Sequence, residues 1–203
     1  MKRLLIATRN PGKLKEIKSA LTDLAIKIVT LQDLQITEEV AEDGKTFEEN
    51  AIKKARFYCQ QSGLPTIADD GGLEIDILGG EPGVKSRRWI DGQESADEEL
   101  IAHALKKLKS VPLKKRGAQL RTVLVLAFPD GQIFASEGKV RGIIAQKQSK
   151  KRTKGYPYRS LLYLPAIKKY YHSSQLSQKE KAKYAHRVKA VEKFKKIIKE
   201  KIC

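Results

Sequence analysis

Sulfur and imidazole are scarce in this chain: its 203 residues include only two cysteines, one methionine and three histidines. Cys59 and Cys203 stand far apart, with no CxxC spacing and no histidine cluster at ligand spacing, which excludes a disulfide framework and a thiolate zinc site. His103, His172 and His186 are equally scattered. Long apolar runs are also missing. The opening MKRLLIAT is far too short for a signal peptide or a membrane span, so a soluble cytoplasmic protein is expected. Neither GxxxxGK[ST] nor GxGxxG occurs, and the usual P-loop and Rossmann readings fail with them. What remains, 40% hydrophobic and 6% aromatic, is ordinary for a soluble chain with one substantial core or two small lobes.

Acidic residues run out toward the C-terminus. Residues 139–203 hold 20 Lys or Arg against 3 Asp or Glu, a net of +17 that equals the whole-chain charge, so residues 1–138 sum to zero. Such a block suits a polyphosphate, nucleic acid or an anionic surface, or is simply a solvated face.

The stretch Thr66-Ile67-Ala68-Asp69-Asp70-Gly71-Gly72 centres the chain. An apolar run stops at adjacent carboxylates and glycines, then resumes as an alternating strand through Leu73, Ile75 and Ile77, which reads as a strand end. Neighbouring side chains on a strand point opposite ways, so only one of Asp69 and Asp70 can easily face a given site. Around this centre, Lys2 to Thr8 reads as a buried strand. Asn10-Pro11 reads as an N-cap with Pro in the first turn, opening a helix to about Leu24. That turn gathers Thr8, Asn10 and Lys13 at a helix N-terminus, where free N–H groups and the dipole favour a phosphate, although Asn10 has a sufficient role as a cap.

A strand near Ile26 to Thr30 leads to the acidic loop around Glu42, and Thr46-Phe47-Glu48-Glu49 reads as a capping box for a helix to about Gln61. Asn50 and Lys54 lie four apart on one face of that helix, beside the apolar set Phe47, Ala51, Ala55 and Tyr58, and read either as two solvated residues, the simpler case, or as polar donors aimed at a site. Farther on, Ser86 and the arginines after it offer hydroxyl and guanidinium donors. A helix is expected from about Asp97 to Leu108, then a hairpin of Ala118–Phe128 and Ile133–Ile144 around Pro129-Asp130-Gly131. The aromatic segment 155–165 includes Tyr158, and Ser177-Gln178-Lys179-Glu180 caps a long Lys-rich helix expected to reach the C-terminus.

Read together, several of these segments resemble one known family. ThrArgAsnProGlyLys at 8–13, ThrPheGluGluAsnAla at 46–51 with Lys54-Ala55, AlaAspAspGlyGlyLeuGlu at 68–74 and GlyGlyGluProGlyVal at 79–84 look like the inosine triphosphate pyrophosphatases. LeuSerGlnLysGluLys at 176–181 and AlaHisArg at 185–187 continue the match, so it spans nearly the whole chain in unbroken order. The resemblance implies a mixed α/β fold: a long central mixed sheet flanked by helices, in two lobes with an intervening cleft. It also implies one pyrophosphatase domain over 1–203, a homodimer, and hydrolysis of non-standard purine nucleoside triphosphates to monophosphate and pyrophosphate with Mg²⁺. Carried over by position, Thr8, Asn10, Lys13 and Lys54 would hold phosphates, Glu42 and Asp70 would hold the metal, and Asp70 would be the base. His186 and Arg187 would close over the nucleotide, and Asn50, Gly71, Ser86, Tyr158, Arg159 and Lys181 would complete the substrate-binding set.

Departures from the family concentrate on base recognition. The usual Gly-Phe-Gly-Tyr-Asp-Pro segment is here Gly155-Tyr156-Pro157-Tyr158-Arg159-Ser160, so a donor-only guanidinium replaces a purine-recognising carboxylate. Gly71 and Ala185 replace serines, and Lys85 stands where tyrosine is common. The expectation is a triphosphate pyrophosphatase with altered or relaxed base choice, with hydrolysis of a modified pyrimidine triphosphate as a third reading. The alternative is a catalytically weak relative that binds nucleic acid through its basic third.

Overall fold

The apolar run after Lys2 forms strand β1 (Arg3–Ala7) in a computed structural model that describes residues 2–202; Cys203 lies outside them. Helix α1 (Pro11–Ala20) starts where expected, because the Asn10 side chain accepts from the backbone N–H groups of Gly12 and Lys13 at 2.9 and 3.1 Å. It ends before the expected Leu24. The Ser19 hydroxyl bonds back to the Glu16 carbonyl, and Leu24 N–H turns onto Leu21, so the chain tightens toward β2 (Lys27–Thr30).

Helix α2 (Phe47–Ser62) is capped by Thr46, whose hydroxyl accepts from Glu49 N–H, and it ends on Gly63 at φ 65°, the left-handed cap that glycine adopts without strain. The expected capping box differs in one partner. The Glu49 carboxylate reaches past Thr46 to accept from Lys45 N–H at 2.7 Å.

Strand β3 (Thr66–Ile75) corrects the reading of its centre. The Asp-Asp-Gly-Gly stretch is not a strand end: the strand runs straight through it. Glycine at position 72 is required by packing, since a Cβ there would lie 1.9 Å from Ser86 Oγ and 2.8 Å from the Gly83 carbonyl. Helix α3 (Asp97–Lys107), β4 (Gly117–Ala127) and β5 (Ile133–Ile144) follow near their expected bounds, with the turn at Pro129-Asp130-Gly131 closed by Gly131 N–H to Phe128. Short strands β6 (Leu162–Leu164) and β7 (Lys169–Tyr170) complete one seven-stranded sheet of order β2-β1-β3-β4-β5-β6-β7. Parallel pairing of β1 with β2 and β3, against antiparallel pairing of β6 with β5 and β7, makes the sheet mixed and the fold mixed α/β.

The long C-terminal helix is a second correction. It is three short helices, α4 (Gln178–Tyr184), α5 (His186–Glu192) and α6 (Lys195–Lys201). Ala185 leaves helical geometry at ψ 74°, and the chain re-aims so that His186 and Arg187 turn inward, with 4% and 5% exposure. The Ser177–Glu180 capping box that opens α4 is present as expected.

Two compact units divide the chain. Met1–Asp70, Thr122–Gly138 and His186–Cys203 make the first, cored by Leu4, Ile6, Ile17, Ile67, Leu124 and Phe194. Gly71–Arg121 and Lys139–Ala185 make the second, cored by Leu73, Ile75, Leu100, Leu108, Leu161 and Leu162. Each such side chain contributes roughly 1.5–3 kcal/mol on burial, enough that the polar groups held inside need specific partners.

Candidate active site

The first unit assembles most of the expected site around the two aspartates of β3. Because adjacent strand residues face opposite ways, Asp69 and Asp70 have separate partners. Asp69 Oδ2 takes Lys13 Nζ at 3.1 Å and Arg187 Nε at 3.1 Å, with the Thr122 hydroxyl at 3.4 Å. Burial pushes this carboxyl up, but Lys13 and Arg187, helped by Lys54, outweigh it and hold the group well below the usual carboxylate range. Asp69 Oδ1 finds no hydrogen-bond partner among the described residues.

Asp70 behaves in the opposite way. Its Oδ2 accepts from the Asn50 amide at 2.9 Å, and Lys54 Nζ lies 3.9 Å from Oδ1. Burial dominates, Lys54 and Lys13 offset it only in part, and Glu42 adds like charge, so this carboxyl sits above its ordinary value. Lys54 Nζ also pairs with Glu42 Oε1 at 3.2 Å. Burial works to discharge that ammonium, yet Asp70, Glu42 and Asp69 prevail and keep it charged. One ammonium thus lies within reach of both expected metal carboxylates.

Helix α2 supplies the middle of this arrangement. Asn50 and Lys54, one turn apart, are 1% and 8% exposed and face inward rather than into solvent. Asn50 is held from both ends, because its Oδ1 accepts from Gly44 N–H at 2.8 Å while its Nδ2 donates to Asp70. Glycine at position 44 permits that approach, since a Cβ would come within 2.7 Å of Asn50 Oδ1. Thr8 and Asn10 have local roles as well: the Thr8 hydroxyl accepts from Asn10 N–H at 3.2 Å, and Asn10 caps α1. They hold the turn that presents Lys13.

Four residues important to the geometry went unassigned in the sequence. Asp69 gathers the cations, Thr122 supports it from β4, Glu16 binds Arg187 Nη1 from α1, and Arg9 grips the loop before Glu42. Asp69 and Arg9 lie inside segments singled out in the sequence, and Glu16 lies one turn beyond Lys13, whereas Thr122 carried no local signal. Arg187 itself is engaged by Asp69 and Glu16, and His186 is buried beside it at the start of α5.

The remaining expected residues lie in the second unit. Ser86 Oγ accepts from Leu73 N–H at 2.9 Å and donates to the Gly83 carbonyl at 2.7 Å, which commits the hydroxyl to the backbone. The Tyr158 hydroxyl donates to the Ser86 carbonyl at 2.6 Å, and burial pushes that phenol well above its usual value. Arg159 is 7% exposed, its guanidinium lying 3.8 Å over the Tyr156 ring and 5.3 Å from that of Tyr171. Gly71 is half-buried in β3, and Lys181 is half-buried on α4.

A model of the Ham1 family matches residues 4–197. The chain belongs to that family. A dITP/XTP pyrophosphatase of Thermus thermophilus is 39% identical over 93% of this chain and 88% of its own. One of Geobacter sulfurreducens is 43% identical over 81% of each chain. Among solved structures, a HAM1 protein from Coxiella burnetii superposes with a TM-score of 0.84 at 32% identity, covering 98% of this chain and 100% of that one. Membership in the Ham1 family thus extends over both compact units, and over every residue of the candidate site.

Proposed function

We propose that this Ham1-family chain hydrolyses nucleoside triphosphates to monophosphate and pyrophosphate, acting on non-standard purines of the kind named for its relatives. The observation that carries the reading is the contact set of Asp70, Asn50, Lys54 and Glu42 beside the capped turn of Lys13. Attack at the α-phosphorus needs a positioned base, cations for the departing pyrophosphate, and a fixed geometry. Asn50 orients Asp70 Oδ2, leaving Asp70 as the group to take a proton from the attacking water. Lys13 and Lys54 supply positive charge to the phosphates, and Asp69 holds Lys13 and Arg187 where they can exchange a carboxylate for a phosphate oxygen.

The donor chemistry fits Mg²⁺. No group of three His, Cys, Asp or Glu stands ready to hold a metal among the described residues, so the protein contributes few ligands. Glu42 and Asp70 are hard oxygen donors on either side of one ammonium, a sparse set that a triphosphate and water complete in the manner magnesium prefers. When bound, the ion supplies charge neutralisation on the phosphates and lowers the pKa of coordinated water.

Base choice is read from Arg159. A buried guanidinium stacked on Tyr156 offers donors and no acceptor, which supports altered discrimination among purines. The resemblance further supports a homodimer, and no helix among the described residues is long and apolar enough to cross a membrane. Part of the C-terminal basic charge is used within the fold: Lys195 pairs with Asp23 at 2.8 Å, and Lys193 donates to the Glu137 carbonyl. The test is pyrophosphate release from a panel of triphosphates at fixed Mg²⁺. Turnover of deoxyinosine or xanthosine triphosphate is expected, and release from no member of the panel would overturn the reading.

A further inference from the structure

We propose that Arg9 is a positioning residue for Glu42, tying the turn that cradles phosphate to the loop that carries the metal carboxylate. The inference deepens the pyrophosphatase reading and rests on it. Arg9 lies between Thr8 and Asn10, whose side chains shape the turn, and its own side chain leaves that turn altogether. Arg9 Nη2 meets three consecutive carbonyls, those of Ile36, Thr37 and Glu38, at 3.2, 2.8 and 3.0 Å. Its Nε lies 3.4 Å from Glu39 Oε1.

Three carbonyl dipoles converging on one point repel one another unless a cation stands there. The guanidinium, together with the Tyr58 hydroxyl, therefore stabilises the bend that begins the acidic loop. A guanidinium suits the task because its fork is rigid and always charged. The Tyr58 hydroxyl donates to the Glu38 carbonyl at 3.1 Å, and Asn50 holds the far end of the loop through Gly44. Glu42 is thus suspended between two anchors. One is α2, which also carries its partner Lys54, and the other is the phosphate turn through Arg9. A displacement of that turn on binding a triphosphate reaches Glu42 through the Arg9 side chain.

The experiment compares Arg9→Gln and Arg9→Lys with the wild type. In the absence of nucleotide, hydrogen exchange at the hydrogen-bonded amides of this segment, those of Ile36, Gly44 and Lys45, is expected to quicken about tenfold in Arg9→Gln while α1 stays protected. Mn²⁺ binding, read by electron paramagnetic resonance with a non-hydrolysable α,β-methylene triphosphate, should weaken about tenfold, as loss of an outer support of a metal ligand does. Arg9→Lys keeps the charge without the fork and should fall between. At saturating Mg²⁺, kcat should return to within about threefold of wild type. Unchanged loop exchange, unchanged Mn²⁺ binding, or an activity loss identical at every Mg²⁺ concentration would overturn the proposal. A wild-type protein that hydrolyses no triphosphate would sink the pyrophosphatase reading, while exchange and Mn²⁺ binding would still judge Arg9.

Discussion

Asp69 and Asp70 are neighbours on one strand with opposite electrostatic surroundings: Lys13 and Arg187 hold the first ionised, while burial holds the second above its ordinary carboxylate value. Two adjacent carboxylates so divided can serve separate tasks, one fixing cations and the other accepting a proton.

Asp70→Asn removes the proposed proton acceptor at nearly constant volume. We expect kcat to fall by about 10³-fold or more, with an unaltered circular dichroism spectrum and nucleotide affinity within about tenfold. Wild-type turnover in this variant would transfer the role to another carboxylate.

Asp69→Asn should act on stability. It takes a buried carboxylate away from Lys13 and leaves Arg187 with Glu16 as its acidic partner on α1, at a cost of about 3 kcal/mol in urea unfolding, since breaking a buried ion pair from one side is penalised heavily. Asp69 has a depressed pKa in the folded protein, so its contribution is complete above the unfolded value and disappears as pH falls through the folded one. The stability gap between wild type and variant should be flat from about pH 7 to about pH 5 and shrink only below about pH 4. A gap that widens on acidification would contradict this.

Asn50→Ala deletes both ends of a clamp, the bond to Asp70 and the bond to Gly44. Loss of positioning should lower kcat about 10- to 100-fold while moving KM little. A KM effect alone would place Asn50 on substrate binding instead.

Arg159→Asp exchanges a stacked donor for an acceptor. Inosine and xanthosine carry a ring N–H that a carboxylate accepts, and a mismatched buried polar group costs about 1–3 kcal/mol, so selectivity should move toward those bases by roughly ten- to a hundredfold. The readout is kcat/KM for inosine and adenosine triphosphates in both proteins, since adenine lacks the ring N–H that guanine shares, with Tm measured because the stacking on Tyr156 is lost. A wild-type preference for inosine triphosphate of about a hundredfold or more would contradict the assignment.

Local chemistry was legible in the sequence where the signal and its partner are close together. The Asn10 and Thr46 caps, the inward face of α2 and the turn at Asp130-Gly131 follow from neighbours within a few residues. Continuity of β3 was not legible, because Asp and Gly ordinarily break strands, and only the approach of Ser86 shows why glycine lies inside one here. The breaks in the C-terminal helix were hidden for a related reason. Ala185 is a good helix former, and the contact that accompanies the break, Arg187 with Asp69, is with a residue far away along the chain. Asp69 had no assigned role because its cationic partners come from α1 and α5, far away along the chain.

Arg187 meets Asp69 across 118 residues of chain and Glu16 across 171. During synthesis the aspartate pair and both lysines leave the ribosome long before the arginine that completes their charge balance. Until residue 187 emerges, Asp69 has Lys13 as its close ionic partner, and Glu16 lacks its contact with Arg187. Contacts of such sequence separation form late, because loop closure must precede any gain from them. A nascent or prematurely terminated chain therefore lacks the finished set of ion pairs around Asp69, and maturation of this enzyme waits on nearly its last helix.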